Sequence, residues 1–140
     1  TLIYFAMDSE LIAILTIDTS SAIRLESKDV IQVLKSQKKE LYILSGDNKT
    51  SVLAVGENIG INKLNCIGEA DNIMKKEFLR NLKTNKKVLM IGDGINDVLS
   101  ISEADFGVSF NAVSQLNMIA SDVIFIKQDL SLILSLLKLS

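Results

Sequence analysis

At 140 residues the chain has the length of one domain or of a piece of a larger one. A hydrophobic fraction of 48%, a charged fraction of 23% and a net charge of -2 suit a globular core and argue against a mainly electrostatic nucleic-acid binder. The absence of histidine excludes imidazole acid–base catalysis, and the single Cys66 excludes an internal disulfide or a multi-cysteine zinc site.

Taken in chain order, Thr1 to Met7 and Leu11 to Ile17 read as two strands across a turn at Asp8-Ser9-Glu10. Ser27 to Gln37 carries Val30, Ile31 and Leu34 on one helical face. Leu41 to Leu44 reads as a short buried strand ending at Ser45-Gly46-Asp47-Asn48, with a helix from about Asn48 to Asn58 closed near Gly60. Leu64 to Ile67 is a weak strand, and Cys66 on it reads as a small buried residue. Met74, Phe78 and Leu82, at i, i+4 and i+8, mark a helix from about Asp71 to Lys83. Val88 to Ile91 predicts a strand, Asn96 to Ala104 a short helix, Phe106 to Phe110 and Val123 to Ile126 strands around a helix from Ala112 to Ala120. The segment from Leu130 to Leu139 predicts a packed terminal helix, short of the ~18 residues a membrane span needs. Strands alternating with helices at this spacing imply an α/β domain: a mainly parallel, Rossmann-like sheet with helices on both faces. No basic leader precedes the first strand, and the chain opens on Thr1 rather than Met, as an excised segment does.

Three segments carry chemistry. In Gly92-Asp93-Gly94-Ile95-Asn96-Asp97 two carboxylates and an amide crowd a glycine turn at the end of a strand. Open α/β sheets bind ligands at that edge, and clustered aspartate oxygens suit Mg2+. The bland alternative is that Asn96 or Asp97 simply caps the next helix. Ser45-Gly46-Asp47-Asn48 places a hydroxyl and backbone N–H groups at a helix start, an anion pocket in which Asp47 or Asn48 caps the helix. Lys75, near the start of its helix, is placed to neutralise phosphate, although Lys75 and Lys76 are both candidates and a solvated lysine is the plainer reading. Asp18 ends a strand where an aspartyl nucleophile would stand, but the position two residues on is Ser20, so Asp18 reads as structural.

In their order and spacing these segments resemble the phosphorylation domain of P-type ATPases, within the haloacid-dehalogenase-like superfamily. The resemblance runs from about Ile3 to Leu136 and includes Ala104-Asp105-Phe106-Gly107-Val108 and Ser121-Asp122-Val123-Ile124-Phe125. Ile95 and the segment up to Asp129-Leu130 lean towards the heavy-metal pumps of the copper type. The resemblance implies that residues 1–140 are a single domain, the major part of such a phosphorylation domain. Asp93 binds Mg2+ with support from Asp97. Ser45, Gly46 and Lys75 hold the phosphoryl group, Asp47 organises the loop and Asn96 contacts the phosphoryl or its neighbours. It also implies ATP as phosphoryl donor in a parent ATPase that exports a heavy-metal cation, Cu+. The partners are then the nucleotide-binding, actuator and membrane domains of the same protein, with no nucleic acid. The segment itself is soluble, at the cytoplasmic face of a membrane.

The family's nucleophile lies in an Asp-Lys-Thr-Gly-Thr motif that does not occur in these residues. The isolated chain is therefore expected to be inactive. Asn72 stands where the family has proline, Val98-Leu99 where Ala-Pro is usual, and Asn111-Ala112-Val113-Ser114 replaces a glycine-rich turn. Two other readings are a stand-alone haloacid-dehalogenase-like phosphatase and a degenerate interaction module.

Overall fold

The structure, a computed structural model, describes residues 2–7, 10–16, 23–92, 95–110 and 119–138. Asp18, Asp93, Gly94, the Asn111 to Ser114 replacement and most of the helix expected from Ala112 lie outside the described residues.

Strands β1 (Leu2–Met7) and β2 (Glu10–Thr16) pair antiparallel, with a register shift between Phe5 and Ala6. Helix α1 (Ser27–Ser36) buries Val30 and Leu34, one turn apart. Strand β3 (Ile43–Leu44) leads into α2 (Lys49–Ile59), and a 3-10 turn at Lys63–Asn65 leads into β4 (Cys66–Ile67). Helix α3 (Asn72–Lys83), strand β5 (Leu89–Gly92), a 3-10 turn (Ile95–Asp97) and helix α4 (Val98–Glu103) follow. The chain ends with β6 (Phe106–Phe110), β7 (Val123–Phe125) and α5 (Ser131–Lys138).

Among the described residues the strand pairs after the first hairpin are parallel: β3 with β4, and β5–β6–β7 in that order. The fold class is α/β, as expected, with the parallel strands hydrogen-bonded in two ladders. Strand β6 has a partner on each side, and Gly107 to Phe110 are all buried. Central parallel strands lose both faces to packing, which is why this stretch reads as apolar without alternation. Two aspartates align the strand starts. The Asp105 carboxylate accepts from the Val88 N–H and the Lys87 ammonium, each at 3.0 Å, at the mouth of β5. The Asp122 carboxylate accepts from the Gly107 N–H at 2.7 Å, between β6 and β7.

Under β3 and β4 a small core gathers Val52, Ile61 and Cys66, flanked by Ile31, Leu41, Ile43 and Leu53. Burial pushes the Cys66 thiol above its ordinary pKa, so it acts as a small apolar residue. Helices α1 and α2 end in the same way. After α1 the Lys39 N–H donates to the Leu34 carbonyl and the Lys38 N–H to that of Lys35. After α2 the Ile61 N–H donates to the Gly56 carbonyl and the Gly60 N–H to that of Glu57. Both are Schellman caps, whose turning residue needs a positive φ. Gly60 (φ 83) supplies it freely, whereas Lys38 (φ 59) does so against its Cβ.

Candidate functional site

Three elements meet at the carboxyl ends of β3 and β5. The Ser45 to Asp47 loop leaves β3, the first turn of α3 comes in from one side, and the turn into α4 from the other. Together they enclose a cleft of about 430 Å³ lined by Ser45, Gly46, Asp47, Asp71, Lys75 and Asp97, with Ala70, Asn72 and Asn96.

The loop after β3 is held at both ends. The Ser45 N–H donates to the Ile67 carbonyl at 3.0 Å and the Ala70 N–H to the Ser45 carbonyl at 2.9 Å, so the exits of β3 and β4 are tied together. The Ser45 hydroxyl donates to Asp47 Oδ2 at 2.8 Å, and the Asp47 N–H returns a bond to Ser45 Oγ at 3.2 Å. The Glu69 N–H donates to the Asp47 carbonyl at 2.7 Å. Of the two capping candidates, Asn48 closes α2: its Oδ1 accepts from the Ser51 N–H at 2.8 Å. Asp47 is thereby left to fix the serine hydroxyl.

Helix α3 is capped by Asp71, whose Oδ1 accepts from the Met74 N–H at 2.7 Å. Its buried side chains are Lys75 and Leu79, so the inward face lies one residue on from the Met74-Phe78-Leu82 row that marks the helix in sequence. The two lysine candidates separate cleanly. Lys75 is only 7% exposed and its Nζ lies 2.8 Å from Asp97 Oδ1, while Lys76 points outward to Glu103 at 3.7 Å. Asp97 makes no side-chain cap to α4, so the bland reading fails for this residue; its carboxylate serves Lys75 instead.

Glu103 holds the two helices together. Its carboxylate takes Arg80 at 3.3 Å, and its carbonyl accepts from Lys83 Nζ at 2.5 Å. Arg80 above all keeps the Glu103 carboxyl below the usual carboxylate range. Gly92, the last residue of β5, lies directly under Asp97. A Cβ there would stand 2.6 Å from the Asp97 Cβ and 2.8 Å from its Oδ2. Only glycine admits so close an approach, a constraint beyond the tight turn that the sequence pattern suggests.

The cleft thus brings together Ser45, Gly46, Asp47, Lys75, Asn96 and Asp97 from three separated segments; Asp93 lies outside the described residues. Sequence reasoning omitted Asp71 and Asn72 from the site. The signal was present: aspartate ahead of an apolar-periodic run is a helix start, and helix starts at this sheet edge point into the cleft. Its polar lining offers oxygen donors for a hard cation, N–H and O–H donors for an anion, and no soft ligand. Among the described residues no cluster of three or more metal-binding side chains occurs.

Known proteins are similar to this chain along its length. The probable copper-transporting ATPase PacS of Synechocystis sp. is 35% identical over 141 aligned positions, covering 100% of this chain and 18% of that protein. The copper-transporting ATPase HMA5 of Oryza sativa subsp. japonica is 33% identical, covering 100% of this chain and 14% of that protein. The chain therefore spans less than a fifth of the length of these relatives. Among solved structures, the catalytic domain of the CPx-ATPase CopB-B superposes with a TM-score of 0.74 at 30% identity, over 82% of this chain and 45% of that one. Residues 1–105 of the 140, which include the whole cleft, match the model of the haloacid dehalogenase-like hydrolases, and the chain belongs to that family.

Proposed function

We propose that residues 1–140 form a single domain, the major part of the phosphorylation domain of a P-type ATPase that moves a heavy-metal cation, Cu+, at the expense of ATP. The observation that carries this reading is the cleft itself. A buried lysine paired to an aspartate faces a hydroxyl and backbone N–H groups at the carboxyl edge of a parallel sheet. Similarity to copper-transporting ATPases along the whole chain supports the choice of parent and cargo.

In this reading Lys75, Ser45 and the Gly46 N–H bind the phosphoryl group, and Asp47 keeps the serine hydroxyl in place. Asn96, exposed at the cleft mouth, contacts the phosphoryl or its neighbours. Asp93 and Asp97 hold Mg2+, which would lower the charge on the phosphoryl oxygens. One oxygen of Asp97 is committed to Lys75, leaving Oδ2 for the ion. The chain supplies the metal- and phosphate-binding half of an aspartyl-phosphate site. The nucleophilic aspartate, the nucleotide-binding and actuator domains and the membrane helices are its partners, with this segment on the cytoplasmic face. No helix among the described residues is long and apolar enough to cross a membrane.

The flanking reading frame tests the proposal first: an upstream Asp-Lys-Thr-Gly-Thr and apolar spans of ~20 residues on both sides are expected. The parent protein in vesicles should form an acid-stable phosphoenzyme from γ-labelled ATP with Mg2+, and Lys75→Ala should suppress it. A frame without the motif sinks the reading. So does robust Mg2+-dependent phosphatase turnover by the 140 residues alone, which would favour a stand-alone phosphatase.

A further inference from the structure

Among the described residues two carboxamides of the cleft have no partner: Asn96, exposed at its mouth, and Asn72, further in. Asp71 caps α3, Lys75 is paired to Asp97, and Ser45 is bonded to Asp47. Asn72, half-buried and lining the same cleft, makes no hydrogen bond through its carboxamide among the described residues. Its main-chain N–H is also unengaged, being in the first turn of α3, where no intrahelical acceptor exists.

We propose that Asn72 is a ligand of the anion bound in this cleft, donating from its carboxamide N–H2 and its main-chain N–H. The inference rests on the reading of the cleft as a phosphoryl site. A carboxamide is well suited to the place. It brings two donors without charge, and donors to an anion make the stronger, charge-assisted hydrogen bonds. The start of α3 points its dipole the same way. Lys75 lies one turn further along the helix, so ammonium and carboxamide approach the anion from a single rigid element. Asn72 is a binding residue in this scheme and moves no proton.

The test is a titration of the 15N-labelled chain with inorganic phosphate in MgCl2, followed through the Asn72 carboxamide and the Gly46 amide. Asn72→Ala removes the side-chain donors alone. Asn72→Pro removes both donor groups, and the backbone accepts it: Asp71 is already extended at φ -71 and ψ 176, as a residue before proline must be, and the first helical position tolerates proline. The Asn72 carboxamide resonances should shift with phosphate. Affinity should fall roughly 5-fold in Asn72→Ala and roughly 10-fold in Asn72→Pro, as expected for hydrogen bonds to a charged group at a partly hydrated site. Lys75→Met should weaken binding as well. Binding that depends on Lys75 but is equal in wild type and Asn72→Ala overturns the Asn72 assignment and leaves the phosphoryl reading standing. No phosphate binding, or binding indifferent to Lys75→Met, overturns both. Thermal melts confirm that each variant is folded, and Asn72→Ala decides the matter if the proline variant is not.

Discussion

Replacing Asp97 by alanine strands the Lys75 ammonium in a site where it is 7% exposed, removing the carboxylate that lies 2.8 Å from its Nζ. Loss of one partner from a fully buried pair costs about 3–5 kcal/mol, because the remaining charge is neither solvated nor paired. The Asp97 side chain retains 17% of its exposure on the cleft side. Water can therefore reach part of the vacated space, and about 2 kcal/mol is the expected cost of Asp97→Ala. Lys75→Met leaves the opposite charge, a carboxylate nearer the mouth, and should cost about 1 kcal/mol. The double variant has no stranded charge. It should cost about 1.5 kcal/mol rather than the sum of about 3, a coupling of about 1.5 kcal/mol. Urea unfolding of the four chains, read by circular dichroism, measures the cycle. At about 3 °C per kcal/mol for a chain of this size, Asp97→Ala should also melt about 6 °C early. Additivity of the two single variants to within ~0.5 kcal/mol would show that the pair does not hold the cleft together.

Gly92→Ala should act on the same pair from below: a Cβ placed 2.6 Å from the Asp97 Cβ must displace it. A loss of about 1–3 kcal/mol by urea unfolding is expected, and a variant as stable as wild type would contradict the close approach. At the end of α1, Lys38→Gly should stabilise by about 1 kcal/mol, since glycine occupies the left-handed position without a Cβ clash. Gly60→Ala should lose a similar amount at the matching position of α2, and an unchanged midpoint in both would refute the shared cap. Stability should fall in acid. The Val88 N–H, then Lys87, hold the Asp105 carboxyl below the usual range, as Arg80 does for Glu103. Between folded and unfolded pKa values the unfolded chain binds more protons, so stability rises with pH there. The contribution is complete above the ordinary carboxylate pKa of about 4 and is lost as pH falls through the folded value. Asp105→Asn should flatten the slope of melting temperature between pH 5 and pH 3, taken as about one unit either side of that value; an unaltered slope counts against the assignment.

Local chemistry carried much of the architecture. The apolar runs ended in glycine or polar turns, and β5 and β6 lie within a residue of the expected strands because a buried parallel strand is continuous in sequence. Helix α2 begins and ends where Asn48 and Gly60 announce it. Leu41 to Leu44 promised four residues of strand, but only Ile43 and Leu44 pair. Their partner is just Cys66–Ile67, because Asn62 Oδ1 accepts from the Leu64 N–H at 2.9 Å and opens a 3-10 turn instead. Strand length here depends on a partner some twenty residues away, which no local pattern contains. The choice between Lys75 and Lys76 was equally invisible. Adjacent helical residues differ by about 100° in direction, and what decides between them is the position of Asp97 in the turn before α4 and of Glu103 at its end. Sequence could name the residue types of the site; the pairing that gives each its task came from packing.

That pairing leads to one more prediction. Among the described titratable residues lining the cleft are three carboxylates, Asp47, Asp71 and Asp97, and one ammonium, Lys75, a balance of -2. Each carboxylate already has a partner: Asp47 the Ser45 hydroxyl, Asp71 the start of α3, Asp97 the lysine. Hydrogen bonds from a hydroxyl and from helix N–H groups leave the charge of Asp47 and Asp71 uncancelled. A phosphate dianion entering this space meets net repulsion, and the donors offered to it, the N–H groups and a Ser45 hydroxyl that must first turn from Asp47, are neutral. Like charges about 6 Å apart at an effective dielectric of ~20 repel by about 3 kcal/mol each before screening, more than one or two hydrogen bonds return. Phosphate binding by this chain should therefore require a divalent cation. Titration with inorganic phosphate in EDTA should show affinity at least ~10-fold below that in MgCl2, the difference of about 1.4 kcal/mol being a modest part of that repulsion. Adding phosphate should in turn tighten Mg2+ binding by the same factor, since the coupling is reciprocal. Equal phosphate affinity with and without the cation would mean that the aspartates of the cleft do not face the anion, and that its donors alone suffice to hold it.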